Sequence, residues 1–166
     1  MDKEKERAFH AAFGRFALTW AELEFGVDLL LDLLVDLTER RTSRECSQHL
    51  ADKIKSIQNQ AKGIPALDEH RHEIDFLLNE ISDLSDTRHS YIHGAAVHKR
   101  EGQVAMTVLM RRHRQPRNRE WQGPVTVTTP QIAEVAERVG VLADRVFALG
   151  IMLSHKPEVV RKLKGP

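Results

Sequence analysis

Apolar side chains enter the chain in an alternating four-three rhythm: Phe9, Phe13, Phe16, Trp20, Leu23, Val27, Leu30, Leu34 and Leu37. This spacing holds one stripe of an α-helix against a neighbouring helix, and it predicts a first helix over about 3–39. Phe25, Leu29 and Leu33 widen the stripe, so this helix is expected to meet more than one neighbour. Arg40, Arg41, Thr42 and Ser43 end it, with cations where the helix dipole favours them. Leu50, Ile54, Ile57, Ala61 and Ile64 repeat the spacing and predict a second helix over about 44–62. Thr42 or Ser43 is its expected cap, and Gly63 and Pro65 close it. A third helix, over about 66–93, carries Leu67, Ile74, Leu77, Leu78, Ile81, Leu84, Tyr91 and Ile92, and Gly94 stops it.

The period then changes. Residues 95–100, a turn at Glu101-Gly102 and residues 103–110 read as a β-hairpin. Val125-Thr126-Val127-Thr128, rich in β-branched side chains, reads as a third strand. Thr129 followed by Pro130 supplies a capping hydroxyl and a proline at the first helical position, the start of a last helix over about 130–155. Ile132, Val135, Ala136, Val139, Leu142, Ala143, Val146, Leu149 and Leu153 give it a buried face. The expectation is a mainly α fold: a bundle of four or more helices in one domain over 1–166, with a small antiparallel sheet over about 95–128 before the last helix.

Composition narrows the class. A chain of 166 residues with 41% apolar content builds one hydrophobic core. Cys46 is the single cysteine, so no internal disulfide forms and no oxidising compartment is implied. The charged start from Met1 to Arg7 lacks the apolar core of a secretory signal. The most apolar run, Phe25 to Leu37, is broken by Asp28, Asp32 and Asp36, each costing on the order of 3 kcal/mol at a bilayer centre. A cytoplasmic protein without membrane association is the expectation. Charge is uneven: residues 1–83 carry 11 basic and 17 acidic side chains, a balance of −6, and residues 84–166 carry 14 and 7, a balance of +7. The second half therefore favours a polyanion. Arg111, Arg112, Arg114, Arg117 and Arg119 form a polar loop whose cations suit an RNA backbone, or are simply solvated.

Candidate chemistry gathers at the end of the third helix, in Thr87-Arg88-His89-Ser90-Tyr91-Ile92-His93-Gly94. His89 and His93, four apart, share a face. Arg88 and His93, five apart, diverge by about 140° on a regular helix. They converge on one phosphate only if the last turn loosens or if two copies meet across a two-fold axis. Histidine moves protons near neutral pH, and arginine binds phosphate oxygens bidentately. Tyr91 and Ile92 read as core.

Arg88-x-x-x-x-His93 resembles the R-x4–6-H motif of the HEPN superfamily, in which the residue after the arginine is usually Asn, Asp or His. His89 fits that preference, and the position late in a long helix before a glycine also agrees. The resemblance implies a homodimer. It further implies a metal-independent endoribonuclease of the toxin or defence-effector kind, with no cofactor and with an antitoxin or other partner protein. Arg88, His89 and His93 would be its catalytic residues, with Arg88 on the phosphate and His93 as general acid or base. HEPN members without ribonuclease activity imply an alternative, a non-catalytic module that binds nucleotide or RNA or supports protein assembly.

A third reading is a helical metal-binding protein, in which His89 and His93 have ligand spacing and His98, His70, His72 or Glu73 completes the set. No H-E-x-x-H, phosphate-cradling glycine loop, nucleophile elbow or dinucleotide fingerprint is present.

Overall fold

The computed structural model describes residues 3–38, 49–93, 95–100, 103–108 and 125–157. The element order is α1 (Lys3–Thr38), α2 (Leu50–Ala61), a 3₁₀ turn (Pro65–His70), α3 (Arg71–His93), β1 (Ala95–Arg100), β2 (Gln103–Val108), β3 (Val125–Thr128) and α4 (Thr129–Ser154). The fold is mainly α: among the described residues there are four α-helices, with a small antiparallel sheet before the last. Strand order is β1-β2-β3, with Ala95 opposite Val108 in the first pair and Ala105 opposite Thr128 in the second. Among the described residues, no helix is long and apolar enough to cross a membrane.

Three boundaries differ from the sequence expectation. The second helix begins at Leu50 rather than near residue 44; the amides of Asp52 and Lys53 bond to the His49 carbonyl, and no side chain caps them. Thr42 and Ser43, the expected caps, lie outside the described residues, as do Arg40, Arg41 and Cys46. The third helix is preceded by a 3₁₀ turn, with Pro65 at its start and Asp68 paired with Arg71 at its end. Such tight turns are frequent where a helix begins. The last helix starts one residue early. Gln131 Oε1 accepts hydrogen bonds from the Thr128 amide at 2.8 Å and hydroxyl at 2.9 Å. A threonine and a glutamine three apart make this half of a capping box, and the strand runs straight into the helix.

The chain divides into two compact units, one of Met1–Trp20 and Asp83–Val139, the other of Ala21–Ser82 and Gly140–Pro166. In the first unit, Phe9, Phe16 and Trp20 of α1 are buried, with Leu84 and Tyr91 of α3 and Ile132, Ala136 and Val139 of α4. Phe16 packs on Tyr91, ring centroids 5.3 Å apart. Met106 and Val127 are cross-strand partners and both are buried, so one face of the β2–β3 pair joins the core.

In the second unit the heptad seam continues through Leu23, Val27, Leu30, Leu34 and Leu37. Ile54 and Ile57 of α2, Ile74 to Ile81 of α3 and Leu142 to Leu153 of α4 supply the other buried faces. Each such side chain contributes about 1.5–3 kcal/mol. Gly26 allows α1 and α4 to approach: a Cβ there would meet Val146 Cγ1 at 3.2 Å. Surface charges are tied in pairs, Lys53 with Asp28 at 2.5 Å, Arg145 with Glu73 at 3.4 Å, and Lys156 with Glu69. The Arg145 guanidinium also lies 5.2 Å from the Phe76 ring centre. The widened stripe of α1 is only partly covered: Phe25 contacts the Phe147 ring at 6.1 Å, yet Phe25 and Leu29 remain exposed.

Candidate functional site

The last two turns of α3 lie in the first unit. Ile81, Leu84 and Tyr91 follow a three-seven spacing that turns one stripe inward, and all are buried. Arg88 sits between Leu84, four back, and Tyr91, three ahead, and is half-buried. A guanidinium on an aliphatic stem suits such a position, with the stem on apolar surface and a head of the kind that binds phosphate oxygens.

His89 and His93 occupy a different stripe. His89 is half-buried and His93 exposed, and their ring centroids stand 5.0 Å apart with planes inclined by 53°. Two imidazoles at this separation can serve one phosphate, one taking a proton while the other donates. The helix remains α-helical through His93, so the last turn does not loosen. Regular pitch then leaves Arg88 and His93 about 140° apart within one chain. One chain brings the two histidines together and keeps the arginine on a separate face.

Ile92 was expected in the core but is 38% exposed, because its position lies outside the stripe that Leu84 and Tyr91 turn inward. Tyr91 is buried as expected, and burial, followed by the nearby charge of Glu134, pushes its phenol above its ordinary value. Ser90 is 1% exposed, and among the described residues its hydroxyl has no hydrogen-bond partner. Asp86, half-buried, stands three positions before His89. That spacing puts its carboxylate on the histidine face, whereas Arg88, two positions on, faces elsewhere. The i, i+3 relation of Asp86 and His89 is readable in the sequence itself.

Gly94 and the arginines of the loop, Arg111, Arg112, Arg114, Arg117 and Arg119, lie outside the described residues. Comparison with family models, with curated proteins and with solved structures finds no match to this chain. The roles of Arg88, His89 and His93 therefore rest on their own chemistry and placement. Among the described residues there is no group of three or more His, Cys, Asp or Glu able to hold a metal ion. His89 and His93 supply two such donors on one face, and the metal-binding reading requires a third.

Proposed function

We propose that the chain is a metal-independent endoribonuclease of HEPN type, acting as a homodimer and serving as a toxin or defence effector held by a partner protein in the cytoplasm. The observation that carries this reading is the His89–His93 pair, ring centroids 5.0 Å apart at the solvent-facing end of α3, with Arg88 immediately before it. In this mechanism an imidazole takes the proton of a ribose 2′-hydroxyl, and the 2′-oxygen attacks the adjacent phosphorus. Arg88 holds the non-bridging oxygens, and a second imidazole protonates the departing 5′-oxygen. The products are a 2′,3′-cyclic phosphate and a 5′-hydroxyl. Asp86 orients His89 from three positions back. Because Arg88 and His93 diverge on one helix, the complete site takes Arg88 from one copy and His93 from the other. The arginine loop 111–119 supplies the electrostatic track for the RNA backbone.

That same divergence favours a second reading. A chain that does not bring its arginine and histidine together is suited to bind nucleotide or RNA, or to assemble with a partner, without cutting.

Incubation with labelled single-stranded RNA and tRNA in excess EDTA tests the proposal. The wild type should leave cyclic-phosphate ends, and His93→Ala and Arg88→Ala should each slow cleavage about 100-fold or more. Equal mixing of the two variants should restore part of the activity through mixed dimers that carry one intact composite site. Cleavage that survives both substitutions overturns the assignment. No cleavage from a folded wild-type dimer favours the binding module.

A further inference from the structure

We propose that Ile92 is a nucleobase contact, packing against an unpaired base of an RNA strand whose phosphate Arg88 holds. The inference rests on the RNA-binding half of the ribonuclease reading and is independent of cleavage.

Ile92 follows Arg88 by four positions and His89 by three on α3, so it stands one turn beyond both. Helical pitch puts it about 40° from Arg88 and about 60° from His89, on the strip of surface between the arginine face and the histidine face. The Cβ atoms of residues so spaced are about 5–6 Å apart. A helical side chain also leans toward the amino terminus, over the turn that precedes its own Cα. The Ile92 side chain therefore leans over the turn that carries Arg88 and His89.

Its surroundings select the occupant. Ile92 is 38% exposed, whereas Tyr91 before it is 6% exposed. Its α3 neighbours on this side are polar: Ser85, Arg88 and His89 are half-buried, and His93 is exposed. One apolar side chain among polar ones is too small for a protein partner, since a standard interface takes ~800 Å² from each side. It matches a single base. A nucleotide joins an apolar base face to an anion through one ribose, and α3 offers the complementary pair within one turn. The Arg88 guanidinium suits the phosphate, Ile92 suits the base face, and the ribose then falls beside His89. The balance of +7 over residues 84–166 also favours a polyanion. In a duplex the base faces stack on one another, so a side chain on a helix surface reaches one only in an unpaired segment. The substrate class is therefore single-stranded RNA.

Fluorescence anisotropy of the full chain with labelled strands tests this without any cutting. One probe is a single-stranded 2′-fluoro oligoribonucleotide, which has no 2′-hydroxyl to attack. The other is a base-free sugar–phosphate strand of equal length and charge. The wild type should bind the first about tenfold more tightly than the second. Ile92→Ser should erase that preference by weakening only the base-bearing strand. Ile92→Phe should widen it, because an aromatic ring stacks on a base, and misfolding cannot produce such a gain. Arg88→Ala should weaken both strands alike. The proposal is overturned if the wild type binds neither strand or binds both equally. It is also overturned if Ile92→Ser keeps the preference, which would leave Ile92 to a contact between copies, or weakens both strands alike, which would make its role structural. A base preference that depends on Ile92 in a chain that cuts no RNA would reject the ribonuclease reading and leave this inference standing.

Discussion

Two buried serines, one in each unit, are bonded differently. In the unit of Ala21–Ser82 and Gly140–Pro166, Ser56 is 4% exposed and Gln60 8%. Gln60 Nε2 donates to the Ser56 hydroxyl at 3.4 Å, and the Thr38 hydroxyl donates to Gln60 Oε1 at 2.6 Å, so α1 and α2 share a short polar chain. In the unit of Met1–Trp20 and Asp83–Val139, Ser90 is equally buried but its hydroxyl has no partner among the described residues, and the Tyr91 phenol beside it is desolvated. A buried polar group that is hydrogen-bonded contributes to stability, and one that is not costs about 1–3 kcal/mol. The unpartnered serine stands next to His89 on α3, whereas the bonded one lies on α2.

The largest expected effect comes from the aromatic packing that shapes the first unit. Phe16 is fully buried and packs on both Trp20 and Tyr91. Phe16→Ala should cost about 3–5 kcal/mol in denaturant unfolding, against about 2–5 for Ile57→Ala in the second unit. A Phe16→Ala loss far below this range would mean that the contact with Tyr91 is loosely made, and the contrast between the units would then extend to apolar packing.

A pair of serine substitutions probes the contrast more directly. Ser56→Ala removes the hydroxyl that accepts from Gln60 Nε2 and should destabilise by about 1 kcal/mol. Ser90→Ala removes a hydroxyl that gains nothing and should stabilise by about 1 kcal/mol, since alanine is also the better helix former. Opposite shifts of the denaturation midpoint at constant slope would support the comparison. Shifts of the same sign would show that Ser90 is bonded in solution and would remove the difference between the two serines.

Much of this was legible before any coordinates. The four-three seam from Phe9 to Leu37 announced α1, because a buried face must repeat near the helical pitch. The β-branched run at Val125–Thr128 announced a third strand, and its pairing with β2 agrees. Helix starts were read less well. Nothing in the composition of Pro65–His70 separates a 3₁₀ turn from the first turn of an α-helix, as the same residues serve both. Thr129, expected as the cap, is instead the first residue of α4, and it is Thr128 before it that bonds to Gln131. At the candidate site, the spacing of His89 and His93 gave their shared face. The isolation of Arg88 also followed from pitch, provided the helix stayed regular to its end, and it does. The exposure of Ile92 and the unbonded hydroxyl of Ser90 depend on which neighbours surround the helix, and a one-dimensional pattern carries no such information.

The smallest expected effect concerns Tyr91, which tests the same unit from its acid–base side. It is the only tyrosine in the chain, so its ionisation can be followed by tyrosinate absorbance alone. Burial first, and the Glu134 charge second, hold its phenol above the ordinary value of 10.0. Above that pH the unfolded chain releases the phenolic proton while the folded chain keeps it, so the unfolded state binds fewer protons. Stability must then fall as pH rises through this range, by at most about 1.4 kcal/mol per pH unit, and the contribution is fully present below it. Unfolding curves at successive alkaline pH values should show this loss in the wild type and less of it in Tyr91→Phe. Glu134→Gln should lower the phenol's midpoint only slightly, because desolvation is the larger cause. If the tyrosinate instead appears at its ordinary pH with no difference between wild type and Tyr91→Phe, the phenol is hydrated in solution. The end of α3 would then be more open than its packing against Phe16 implies.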